Sequence, residues 1–184
     1  MITLLVLHFC VDIISSVYPD SSLIEPCICD RGQLTCYDND DLDLVKIFQT
    51  MGKHLNKSEK HFKDFWIKNK FITELKENTF SDITFDSIYI QSCSKLKTIH
   101  LNAFNTTDSV TTEIFIRSNP LLTSPENSIF QVLSKFVRAR VIDLSYNNIT
   151  EIPSNAFQDI VGEEDQLNYL LLSGDLGHLK KTLQ

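Results

Sequence analysis

Val141-Ile142-Asp143-Leu144-Ser145-Tyr146-Asn147-Asn148-Ile149-Thr150-Glu151-Ile152-Pro153, followed by Ala156, Phe157 and Ile160, reads as one turn of a coiled chain. Ile142 and Leu144 alternate as in a half-buried strand. Asn147 follows Leu144 by three residues, Ile149 by five and Ile152 by eight. Aliphatic residues at period two face a narrow core. An asparagine at the bend can use its amide to satisfy backbone groups that the turning chain would otherwise orphan. One such unit cannot bury its own apolar face, so it requires neighbours of the same kind.

The neighbours are present. Phe65-Trp66-Ile67 leads through Ile72 and Leu75 to Phe80 and Ile83. Ile88-Tyr89-Ile90 is followed by Cys93 at the turn position, then Leu96, Ile99 and Phe104. Ile114-Phe115-Ile116 is followed by Asn119, Leu122 and Phe130, and Leu170-Leu171-Leu172 opens a further unit. The second inward residues of these strands, Ile67, Ile90, Ile116, Leu144 and Leu172, are separated by 23, 26, 28 and 28 residues. That period is the roughly 20–29 residues of a leucine-rich repeat. Lys70 and Asp175 stand where the turn asparagine is expected, and Cys93 is an accepted substitute for it. The expected fold is an α/β-type leucine-rich-repeat solenoid. It has a short parallel β-sheet on the concave face, an irregular or short-helical convex side and a cysteine-containing amino-terminal cap.

The expected division is a signal peptide at 1–17, a cap with a first irregular unit at 18–61, and about five repeats at 62–184, the last incomplete. Met1 to Val17 reads as a secretory signal in preference to a buried first helix: an apolar run from Ile2 to Val11 precedes the small Ser15 and Ser16. The later sequence holds no run of the ~20 apolar residues that span a membrane. Formal net charge is −7, and loss of residues 1–17 removes only Asp12. An acidic surface argues against nucleic acid as a partner. Leu42, Leu44, Ile47, Phe48 and Leu55 recur at near-helical spacing and imply a short amphipathic helix or an irregular wall. Asp38 to Asp41 lacks the alternating ligands, glycine and closing glutamate of a calcium loop and reads as a solvated turn. Residues 105–112 and 161–166 read as polar insertions.

Cys27, Cys29 and Cys36 cluster directly ahead of the repeats. Their C-x-C spacing and an oxidising compartment make disulfide chemistry the better reading than zinc. Cys93 is expected to be a buried free thiol acting as a small apolar filler. The sequons at Asn56, Asn105 and Asn148 are available to glycosylation in a secreted chain. Asn105 is the favoured acceptor because it sits in a polar insertion, whereas Asn148 lies beside a closely packed turn. The catalytic signatures G-x-S-x-G and H-E-x-x-H and a glycine-rich phosphate loop are lacking. The chain is therefore read as a binding scaffold and not an enzyme, with no cofactor and no metal.

In each strand the residue between the inward aliphatics points the other way, onto the concave face. Trp66, Tyr89, Phe115, Asp143 and Leu171 form this row. Lys68, Gln91, Arg117 and Ser145 are expected to rim it. Adjacent exposed aromatics mark an interaction site; the competing reading is that they support the sheet or lie beneath a loop.

Pro26-Cys27-Ile28-Cys29, Ile72-Thr73-Glu74-Leu75 with Asn78-Thr79-Phe80, Asp82-Ile83-Thr84-Phe85-Asp86, Asn102-Ala103-Phe104-Asn105, and Asn148-Ile149-Thr150-Glu151-Ile152-Pro153 with Asn155-Ala156-Phe157 carry a family resemblance. Over residues 27–157 the chain resembles a secreted arthropod group of short leucine-rich-repeat proteins, the non-catalytic subunits of oplophorus-type luciferases. The resemblance implies an extracellular, non-enzymatic protein whose partner is another extracellular protein. It also implies a four-cysteine cap, of which the first is missing here. The surviving second and fourth correspond to Cys27 and Cys36, which are then bridged, and Cys29 has no cap partner. The expected function is protein binding through the concave face. The alternatives are an accessory subunit of a secreted oxidoreductase and a fragment of a receptor ectodomain of the Toll or Slit type. Leu170 to Leu183 carries no cysteine-rich carboxy-terminal cap, which implies a truncated product, a fragment or a dimerising end.

Overall fold

The computed structural model describes residues 19–120, 122, 129–150, 152–154, 156 and 169–172. The signal reading at 1–17, Phe157, Ile160, the insertion at 161–166 and Asp175 lie outside them. The described residues open with one helical turn, α1 (Ser21–Ile24), whose Ser22 N–H donates to the Asp20 carboxylate at 2.9 Å. Strands β1 (Ile28–Asp30) and β2 (Gln33–Cys36) form an antiparallel hairpin. Its turn places Gly32 at φ 79°, a left-handed conformation that glycine adopts without a Cβ clash. A disulfide joins Cys27 to Cys36, while Cys29 is half-buried and free and Cys93 buried and free.

Helix α2 (Leu44–His54) follows, with Asp43 as its cap accepting from Lys46 N at 3.1 Å. Leu44, Ile47, Phe48 and Met51 share its buried face, so the near-helical apolar spacing yields an amphipathic helix. Beyond it lie β3 (His61–Ile67), β4 (Glu74–Leu75), β5 (Thr84–Gln91), β6 (Thr98–Ile99) and β7 (Glu113–Arg117). Helix α3 (Ile129–Leu133), β8 (Val141–Asp143) and β9 (Tyr169–Leu171) complete the order. The main sheet runs β1-β2-β3-β5-β7-β8-β9, parallel throughout except for the first pair, and β4 and β6 pair in a second small sheet. The result is a parallel-strand β-solenoid with little helix.

Register follows from which residues must be buried. Phe65, Ile88, Ile114 and Ile142 form one inward row; Ile67, Ile90, Ile116 and Leu144 form the next, all at most 1 % exposed. Together with Phe65 of the first row, Phe48, Phe80, Phe85, Phe104 and Phe136 are fully buried. Phe48 meets Phe80 at 5.0 Å between centroids, Phe80 meets Phe104 at 5.3 Å and Phe104 meets Phe136 at 5.1 Å. A chain of rings therefore runs along the coil from α2, giving a core that each turn extends.

A column of buried polar groups marks the bends. Asn147 Nδ2 donates to Ile116 O and Leu144 O, both at 2.6 Å, and its Oδ1 accepts from Asn119 N at 2.9 Å. Asn119 repeats the arrangement one turn earlier, donating to Ile90 O and accepting from Cys93 N. Cys93 takes the next place with a long 3.9 Å contact from Sγ to Ile67 O. The column ends at Asn69, which donates to Tyr37 O and Asn39 O and accepts from Phe71 N and Ile72 N. The turn position is thus Asn69 and not Lys70. Ser92, Ser118 and Tyr146, each just before the column, are left-handed at φ 55°, 57° and 61°. In the first turn only Lys68 separates Ile67 from Asn69, and it has no positive φ; that turn is one residue shorter.

Candidate functional site

The outward row runs Thr35, Trp66, Tyr89, Phe115, Asp143 and Leu171 on β2, β3, β5, β7, β8 and β9, in register. Parallel strands lie ~4.8 Å apart, close to the spacing at which flat rings can stack. Trp66 and Tyr89 are 3.8 Å apart and 10° from parallel; Tyr89 and Phe115 are 4.6 Å apart and 2° from parallel. All three rings are half-buried. Because each ring covers the next, the ladder presents ring edges to the solvent and keeps its inner faces occupied. The Trp66 indole N–H is buried and finds no acceptor among the described residues.

Charges are sorted to either side of the ladder. Two residues earlier on each strand stand Asp64, Ser87 and Glu113, with Ser87 Oγ donating to Glu113 Oε2 at 3.3 Å. Burial pushes the Asp64 carboxyl up; Lys63 pulls it back, and Asp86 and Glu113 add to the rise. Burial also raises the Tyr89 phenol, as do Asp64 and Glu113, against the Ser87 hydroxyl. Tyr89 is therefore held as a neutral phenol. On the opposite side stand exposed Lys68 and half-buried Gln91 and Arg117.

Asp143 departs from the expectation of an exposed residue. It is 3 % exposed, pairs with Arg117 Nε at 3.2 Å and accepts from Ser145 N at 2.9 Å. A carboxylate beside a bare backbone N–H and a guanidinium turns toward both, out of the solvent. Ser145 is likewise buried and does not serve as a rim. Leu171 remains on the row, 44 % exposed.

Next to the ladder, Gln33, Thr35, Tyr37, Trp66, Lys68 and Gln91 line a pocket of about 310 Å³. Gln33, Thr35 and Tyr37 join the site from the cap, which the alternation of the repeat strands alone does not reach. The signal lay in aligning Leu34-Thr35-Cys36 with Phe65-Trp66-Ile67, which sets a small residue beside the only tryptophan. Of the sequons, Asn56 and Asn148 are exposed. Asn105 is half-buried, its Nδ2 donates to Asn78 Oδ1 at 2.9 Å, and Thr107 is buried with Oγ1 accepting from Phe85 N. Among the described residues no group of three or more His, Cys, Asp or Glu is placed to hold a metal, and no helix is long and apolar enough to cross a membrane.

No protein-family profile matches the chain. It is similar to the Oplophorus-luciferin 2-monooxygenase non-catalytic subunit of Oplophorus gracilirostris. The two are 27 % identical over 169 residues, covering 88 % of this chain and 43 % of the relative. The chain thus spans less than half the length of that subunit, and the shared region takes in both the cap and the ladder strands.

Proposed function

We infer that the protein is a secreted leucine-rich-repeat scaffold that binds another extracellular polypeptide through the concave outer face of its sheet. The observation that carries this reading is the in-register stack of Trp66, Tyr89 and Phe115 on a face the described chain leaves open. Half-buried aromatics flanked by polar residues are favoured anchors of protein interfaces. Lys68, Gln91 and Arg117 on one side and Asp64 and Glu113 on the other supply the polar rim. A disulfide in the cap suits an oxidising compartment.

A second reading, an accessory subunit of a secreted luciferase-like oxidoreductase, is supported by the similarity to the non-catalytic subunit of a luciferin monooxygenase. Both readings place the chain as a non-catalytic partner; they differ in what it holds. Affinity purification of the tagged chain from the native secretion, followed by assay of the bound protein for oxidoreductase activity, separates them. The Trp66→Ser/Tyr89→Ser double variant tests the face itself. It is expected to keep its circular dichroism and to bind the captured partner more weakly by over ~2 kcal/mol, roughly thirtyfold. Unfolding of the double variant would show the rings to be core, and unchanged binding would place the interface elsewhere.

A further inference from the structure

The ring ladder stops at both ends: beyond Phe115 the row continues with Asp143, which is turned to Arg117, and beyond Trp66 it continues with Thr35. Tyr89 has a ring on each side, and among the described residues the one ring stacked on Trp66 is that of Tyr89, on the β5 side. The other face of the indole turns toward β2, where the register sets Thr35 opposite it. A threonine side chain, here 7 % exposed, is too short to cover an indole, and a pocket of about 310 Å³ lies beside it. That volume is at the lower limit of the roughly 300–1,000 Å³ of ligand pockets, enough for a single ring and little more. Exposed Tyr37 stands at the outer wall, and Gln33, Gln91 and Lys68 surround the mouth with amides and an ammonium. Those groups can pair with the main-chain carbonyls that flank an inserted side chain. Gln33 Nε2 at present donates to Thr35 Oγ1 at 3.1 Å.

We propose that this pocket receives one aromatic side chain of the polypeptide partner, which stacks on Trp66 as a fourth rung of the ladder. Strand spacing sets the place of the rung: a ring over Thr35 lies one strand from Trp66, the interval that already separates the existing rings. The inference rests on the reading of the outer face as a polypeptide-binding surface, and adds the residue type that the surface selects.

Trp66 is the sole tryptophan of the chain, so its fluorescence reports the pocket directly and without the partner in hand. The intact protein is titrated with N-acetyl-phenylalaninamide, which leaves the indole signal clear, and with N-acetyl-leucinamide. The phenylalanine amide is expected to change Trp66 emission saturably, with half-saturation on the order of 1 mM for so small a ligand. The leucine amide is expected to bind roughly two- to tenfold more weakly, the margin stacking provides. Thr35→Phe, which supplies the rung from within, should abolish the response. Tyr37→Ser, at an exposed wall where folding is insensitive, should weaken it severalfold. Equal response to the two amides, or an undiminished response in Thr35→Phe or Tyr37→Ser, overturns the proposal. With the partner in hand, Thr35→Phe capturing it at wild-type strength while Trp66→Ser/Tyr89→Ser fails also overturns the proposal and leaves the face reading standing. Failure of the face reading shows instead as undiminished capture by that double variant.

Discussion

Asn147 satisfies Ile116 O, Leu144 O and Asn119 N with one side chain, at a site only 6 % exposed. Asn147→Ala would leave those groups buried and unpaired, each such loss costing about 1–3 kcal/mol. A destabilisation of about 3 kcal/mol or more in urea unfolding is expected, and a value below ~1 kcal/mol would mean that water replaces the amide. The constant spacing from Leu144 to Asn147 made this residue, Asn119 and Cys93 legible in the sequence. It misplaced the first bend at Lys70, because residue counts do not reveal that one turn omits its left-handed residue. Cys93 holds its place in the column by packing. Burial pushes its thiol up from 9.0 to about 11, against the Asn69 N–H. Because the folded form retains the proton longer than the unfolded chain, the stability due to the neutral thiol is intact below pH 9.0 and is lost as pH rises through about 11. Cys93→Ala should flatten the stability profile in that window, and the wild-type thiol should resist iodoacetamide until the protein unfolds.

At the scale of elements, α2 does for the first turn what the preceding turn does for each later one. Phe48 inserts from the helix against Phe65, Phe80 and Phe85, with centroids 5.5, 5.0 and 5.9 Å away. Phe48→Ala should therefore cost about 3–5 kcal/mol, since the rigid sheet cannot collapse into the cavity. Gln49→Ala, one residue on and exposed, should stay within about 0.5 kcal/mol. Urea midpoints for the pair check this, with an unchanged slope showing that the same surface is exposed. The helix was legible because its apolar residues recur every three or four positions, and the strands because theirs alternate. Register was legible too, since a one-residue slip would turn every aliphatic outward. Ring stacking and the burial of Asp143 were not legible. They depend on which rotamer each side chain takes once Arg117, Ser145 and Thr35 are its neighbours.

For the whole molecule, the accessible surface decides where a glycan can be carried. The sequence favoured Asn105 for its polar surroundings, yet polarity there serves packing: Asn105 bonds Asn78, and Thr107 closes buried backbone at Phe85 and bonds Thr111. Asn148 lies beside a tight turn, yet it is exposed, unlike its buried neighbour Asn147. Asn56 is exposed as well, and its backbone N–H donates to Glu59 Oε2 at 2.7 Å. In protein secreted from a eukaryotic host, Asn56→Gln and Asn148→Gln are each expected to remove one glycan mass, and Asn105→Gln none. These sequons also lie off the ladder, so the glycosylated and deglycosylated proteins should bind the partner equally. A secreted product with no mass change on deglycosylation would contradict the extracellular reading, and a glycan at Asn105 alone would show that the Asn78 contact yields to it.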